Sequence, residues 1–146
     1  MHAVIETSRG TINFRFQPKE APKTVENFVK LAKQGFYDNL TWHRVLPNFV
    51  IQGGCPKGDG TGGPGYTIDA ELSELKHLKG TVAMARGSSM NSAGSQFYIA
   101  RSALPHLDKQ YTVFGQVTSG FDVIDKIKPG DAIKKDRKST RLNSSH

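Results

Sequence analysis

Two short stretches put a cation beside apolar and amide side chains: Trp42-His43-Arg44-Val45 and Phe49-Val50-Ile51-Gln52-Gly53-Gly54. Read as extended segments split by the Pro47-Asn48 turn, their alternation aims Arg44, Val50 and Gln52 to a common side if the two pair. A guanidinium over apolar surface can donate to an acceptor that has been stripped of water. The same spacing also fits a surface charge above ordinary core. Other chemistries find less support. Gly58-x-Gly60-x-x-Gly63 matches a dinucleotide fingerprint as a string. Pro64-Gly65 follows it, so no helix N-terminus is there to hold a pyrophosphate, and the stretch reads as a flexible surface loop. Histidines 2, 43, 77, 106 and 146 form no i, i+4 pair, and no metal site is expected. Cys55 with His43 matches no thiol-enzyme pattern and reads as a small, semi-buried thiol.

Positioning such residues takes a frame of turns and short strands. The chain has 146 residues, enough for one domain, with 15 Gly and 7 Pro. Val4-Ile5 and Ile12, Phe14, Phe16 mark two strands joined at Ser8-Arg9-Gly10. Pro22 opens a helix with Val25, Phe28, Val29 and Ala32 on one face, closed by Gly35. Further strands are expected at Val82–Ala85, Phe97–Ala100 and Thr112–Val117, and a second helix near 119–128. Such a meander closes into a barrel or a sandwich, since closure removes its free edges. One cysteine excludes an internal disulfide, and no apolar run reaches the roughly 20 residues of a membrane span. The alternating start, MHAVIETSRGTINF, lacks a signal-type apolar core, so a cytoplasmic protein is expected. Of the net charge of +7, +4 lies in the tail KKDRKSTRLNSSH. That tail reads as an unfolded terminus, and nucleic-acid binding is not expected because the body lacks interleaved surface aromatic and basic residues.

The stretch Phe36-Tyr37-Asp38-Asn39-Leu40-Thr41-Trp42-His43-Arg44-Val45, with Asn48 to Gly54, resembles the signature of the cyclophilin peptidyl-prolyl isomerases. Ala21–Phe28, Gly58–Gly62, Gly94–Ile99, Leu107-Asp108 and Thr112–Gly115 match in the same order, so the resemblance spans about residues 2–133. It implies a mainly β fold: a closed eight-stranded antiparallel barrel capped by two α-helices, occupying residues 1–133. It implies isomerisation of X-Pro bonds in unfolded or flexible chains, with no cofactor, by a monomer. Carried over by motif, Arg44 is the catalytic cation with His43 beside it. Phe49, Val50, Tyr98 and Leu107 line the proline pocket, Gln52 bonds the substrate backbone and Gln96 supports the site. Ala85 and Arg86 offer backbone groups, and His106 and Tyr111 form the rim. His106 stands where many members carry Trp, Val50 where Met is usual, Tyr98 where Phe is usual and Tyr111 where His is common. Only weak cyclosporin binding is therefore expected. A non-catalytic proline-peptide module is the other function that the same groove could serve. The family's last strand gives way here to Lys134-Lys135-Asp136-Arg137-Lys138, so residues 134–146 read as a disordered basic tail and the strand as truncated. The ending KSTRLNSSH looks like a translated adapter.

Overall fold

β1 (His2–Thr7) and β2 (Gly10–Phe16) form an antiparallel hairpin whose inward positions, Ala3, Ile5, Thr7 and Ile12, Phe14, Phe16, are all buried. The structure is a computed structural model that describes residues 2–139. α1 (Pro22–Lys33) follows, with Pro22 in its first turn and Val25, Phe28, Leu31 and Ala32 buried. No side chain of its own caps its start. Glu71, from the long segment before β6, accepts instead from the N–H groups of Lys23 (3.2 Å) and Thr24 (2.8 Å). Then come β3 (Leu40–Thr41), β4 (Arg44–Val45), β5 (Val50–Gly53), β6 (Thr81–Met84), β7 (Phe97–Ala100) and β8 (Val113–Ser119). α2 (Phe121–Lys126) and β9 (Ala132–Ser139) complete the order.

All pairings are antiparallel, in the spatial order β3-β9-β1-β2-β8-β6-β7-β5-β4. The expectation of a closed eight-stranded barrel is corrected: among the described residues, nine strands form a curled, open sheet. Its edge strands β3 and β4 are consecutive in the chain, separated only by Trp42-His43. Trp42 extends the pairing of β3 toward the chain before β9. Its N–H donates to Asp131 O and its carbonyl accepts from Gly130 N–H, both at 2.9 Å, so its backbone is committed to the segment leading into β9.

The expected truncation of the last strand is also corrected. β9 pairs with β1 from Thr7↔Ile133 to His2↔Ser139, with a bulge at Glu6/Thr7. Pairing thus crosses the expected boundary at 133 and takes in 134–139; residues 140–146 lie outside the described ones. Ladder bonds are made by the backbone, so the open side of β1 can recruit a charged segment as readily as an alternating one. The register nonetheless sets Asp136 opposite Ile5 and Lys138 opposite Ala3, the two fully buried positions of β1.

β7 separates two apolar clusters. Phe97 and Ile99 face an inner core shared with both helices, while Tyr98 and Ala100 face an outer one with Val50, Ala83, Leu104 and Val113. Each strand residue of β7 is therefore buried, as in a strand covered on both faces. At the centre of the inner core, the Phe28 ring lies 4.9–5.9 Å from those of Tyr37, Phe114, Phe97, Phe14 and Phe16.

Candidate active site

The sheet register assembles the site. Arg44 sits opposite Gln52 across β4 and β5, Gln52 opposite Tyr98 across β5 and β7, and Tyr98 opposite Ala83 on β6. Directly opposed residues share a face, so one row runs from an exposed cation to the outer apolar cluster. The alternation expected of Arg44, Val50 and Gln52 is met. Over that row lies a hollow of about 100 Å³ lined by Arg44, Phe49, Val50, Gln52, Ala85, Arg86, Tyr98, Leu107 and Tyr111. Phe49 stacks on the exposed His106 at 6.0 Å, which puts His106 at the rim. Tyr98 meets the edge of Tyr111 at 5.8 Å, and the Arg86 guanidinium lies 4.5 Å from the Tyr111 ring centre. Arg44 lies 5.9 Å from the Phe49 ring centre on the other side of the opening.

An amide relay orients Arg44. Gln96 Nε2 donates to the carbonyls of Gly60 and Gly62, each at 2.9 Å. Its Oε1 must then face Gln52, whose Nε2 donates to it at 3.1 Å. Gln52 Oε1 is left pointing to Arg44 Nη1, 3.5 Å away. The glycine-rich loop is thus no idle surface loop. It fixes the relay and lines a second hollow of about 430 Å³ that shares Gln52, Ala85 and Arg86 with the first and includes Gln96.

His43 is expected beside Arg44 in the groove, and the structure sets its ring against the glycine-rich loop. Its ring lies beneath the loop, so close that a Cβ on Gly60 would stand 3.5 Å from Nε2, and it lines neither hollow. Both ring nitrogens are buried with no hydrogen-bond partner among the described residues, and burial lowers its pKa.

Behind the pocket floor is a group that the sequence did not single out. Tyr98 Oη lies 2.7 Å from Nε2 of the buried His77. His77 Nδ1 lies 3.2 Å from Asp108 Oδ1, which also accepts from the His77 backbone N–H at 2.7 Å. Burial pushes the Tyr98 phenol up, and it lowers His77 despite the opposing pull of Asp108. Asp108 is held below the usual carboxylate range, first by the His77 backbone N–H. Only Tyr98 hinted at this arrangement, since a buried hydroxyl in a place that usually holds Phe needs a partner.

These shifts fix a sign for stability against pH. His43 and His77 titrate lower in the folded chain than their ordinary value of about 6.5. Below that value the unfolded chain binds more protons, so stability is complete above about pH 6.5 and falls as the pH drops toward the folded values. Thermal melts from pH 7.5 to 5 are expected to show a steady decline. A melting temperature constant over that range would contradict the desolvation of the His77 ring and of the His43 ring nitrogens.

Residues 2–144 match the family model described as cyclophilin type peptidyl-prolyl cis-trans isomerase/CLD. The chain belongs to the cyclophilin-type peptidyl-prolyl isomerases. It is 50% identical over 133 residues to a peptidyl-prolyl cis-trans isomerase of Synechococcus elongatus, covering 90% of this chain and 91% of that one. It is likewise 50% identical over 128 residues to peptidyl-prolyl cis-trans isomerase B of Bacillus subtilis, covering 86% and 89%. Among solved structures, a Cryptosporidium parvum cyclophilin-type isomerase crystallised in the presence of the dipeptide Ala-Pro superposes with a TM-score of 0.91 at 33% identity. That alignment covers 97% of this chain and 100% of the other. Peptidyl-prolyl cis-trans isomerisation is therefore the activity of this chain, on a curled antiparallel sheet with two helices.

Proposed function

We propose that the hollow of about 100 Å³ seats the proline ring of an X-Pro peptide and that Arg44 is the catalytic residue. The observation that carries this is the row Arg44–Gln52–Tyr98, which holds a cation at the mouth of an apolar, ring-lined pocket. The Ala-Pro dipeptide named with the Cryptosporidium structure supports proline-containing peptides as the substrate class.

The chemistry follows from the amide. Conjugation holds the peptide bond planar against a barrier of about 18–20 kcal/mol. Half-way through rotation the prolyl nitrogen recovers its lone pair and becomes an acceptor. A guanidinium can donate to it there and not in the planar ground state, which is the differential binding that catalysis needs. The twisted carbonyl is less polar than a conjugated one, and Phe49, Val50, Leu107 and the Tyr98 ring favour it by excluding water. Raising exchange from about 0.01 per second to about 10–1,000 per second requires roughly 4–7 kcal/mol. One charge-assisted hydrogen bond contributes about 1.5–3. Positioning and desolvation must supply the rest. Gln52 would bond the peptide backbone from within the amide relay. Ala85 N–H already donates to Gln96 O at 3.0 Å, so Ala85 would offer its carbonyl, with Arg86 beside it. No bond is made or broken and no electron moves, so the rotation calls for no cofactor.

The same reading has the enzyme acting as a monomer in the cytoplasm. The single, buried, free Cys55 fits a reducing compartment, and none of the described helices is long and apolar enough to cross a membrane. Sedimentation and cell fractionation test both statements. Exchange NMR on a short X-Pro peptide with and without the protein tests the site, with Arg44 variants as the deciding arm.

Weak cyclosporin binding belongs to this reading too. His106 is exposed and reaches Phe49 only by ring stacking. His106→Trp restores a larger ring and an N–H donor, worth about 1–2 kcal/mol, so titration is expected to show roughly 5- to 30-fold tighter cyclosporin binding with turnover little changed. Equal affinities would show that the rim is not the limiting contact.

A further inference from the structure

We infer that His77 is a positioning residue for the isomerase reaction, tying the floor of the proline pocket to one of its walls. The inference rests on the assignment of that pocket as the proline seat.

The geometry fixes the roles of each atom. Asp108 Oδ1 accepts from the His77 backbone N–H at 2.7 Å and lies 3.2 Å from Nδ1. A carboxylate can only accept, so Nδ1 carries the ring proton and Nε2 is bare. Bare Nε2 then accepts the Tyr98 hydroxyl at 2.7 Å. The two rings also stack, 5.8 Å apart and 18° from parallel. Tyr98 is 4% exposed and the His77 side chain 0%, so neither group can turn to water for a substitute partner. The phenol is held at its far end, and its ring is what the pocket presents to a proline.

His77 reaches the pocket wall by a second route. Its backbone carbonyl accepts from Leu104 N–H at 2.9 Å, where the 3₁₀ turn Pro105–Leu107 begins, and Asp108 ends that turn. Leu107, within the turn, lines the pocket. One residue thus fixes Tyr98 from one direction and Leu107 from the other. Neither lies on the same strand or loop as His77, and the distance between them sets the width of the proline seat.

The test is a double-substitution cycle read by exchange NMR on a short peptide containing Ala-Pro, with KM and kcat determined separately. His77→Leu strands the Tyr98 hydroxyl, and kcat/KM is expected to fall about tenfold, mostly through a higher KM. Tyr98→Phe strands Nε2 instead, and at least a threefold fall is expected. The double variant removes both unmatched groups and should recover to within about threefold of the parent. A merely structural role would lower the melting temperature in both His77 variants without that recovery. A folded His77→Leu protein with parental kcat/KM, or a double variant no better than the worse single one, overturns the inference. If His77→Leu does not fold, Tyr98→Phe decides alone. The ¹⁵N signals of the His77 ring should show a bare Nε2 in the parent, with a hydrogen-bond shift that Tyr98→Phe removes. An Nε2–H tautomer in the parent, or unaltered kcat/KM in folded Tyr98→Phe, overturns it. Arg44→Ala measured beside these variants separates the two readings. Full activity there removes the pocket assignment, whereas a loss there with a flat His77 series removes only the role of His77.

Discussion

Arg44→Ala is expected to lower isomerase turnover at least tenfold while the melting temperature stays within a few degrees of the parent. The separation of the two effects follows from where Arg44 sits. It is exposed, on a two-residue edge strand, and its hydrogen-bond contact is the 3.5 Å approach to Gln52 Oε1. Exposed polar groups with one long contact contribute little to folding. Toward the twisted amide the same guanidinium contributes about 1.5–3 kcal/mol, or roughly 10- to 150-fold in rate. Peptide binding should persist, because the ring-lined floor is untouched. Exchange NMR for rate and a thermal melt for fold check both halves. Undiminished exchange by a folded Arg44→Ala protein would take the cation out of the mechanism.

Phe28→Ala is expected to cost about 3–5 kcal/mol of stability, lowering the melting temperature by roughly 10–20 °C. Phe28 is 1% exposed, and five aromatic rings surround it within 6 Å, from β2, β7, β8 and the segment after α1. Edge-to-face packing with Phe14, Phe16 and Phe97, the tilted contact with Phe114 and the near-parallel stacking with Tyr37 cannot be restored by a methyl group. The surrounding sheet is also too well paired to collapse into the space. Urea unfolding gives the value directly. A loss below about 1.5 kcal/mol would mean that the aromatic shell closes over the gap.

The parts of the molecule that could be read from the sequence are those whose signal is local. Ile12, Phe14 and Phe16 announce β2 by alternation, and Val25, Phe28 and Ala32 announce α1 by helical spacing. Arg44 and Gln52 meet because a short turn leaves antiparallel pairing as the simple outcome. What was missed depends on distant partners. Trp42 is held by Gly130 and Asp131, far along the chain, and no pattern near residue 42 encodes it. The pairing of β9 rests on the vacant side of β1 rather than on the character of Lys134–Ser139. The stretch Gly58–Gly63 reads as a flexible surface loop because its glycines serve Gln96, more than thirty positions later. The resemblance implies His43 in the groove beside Arg44, yet it falls in the irregular step between β3 and β4, with its ring against the glycine-rich loop. His77 carried no signal, since a lone histidine looks the same whether it is solvated or buried between a phenol and a carboxylate.

The position of β9 between β3 and β1 bears on how the chain is made. Both flanking strands leave the ribosome early, and the strand that must fit between them comes after everything else described. At about 5–20 residues per second, the facing edges of β1 and β3 wait on the order of ten seconds with their backbone donors and acceptors open to any other nascent chain. The hairpin β1–β2 can form at once, but the slot beside it can be filled only when β9 arrives. A polysome crowded with copies of this message is therefore where its misassembly should be sought.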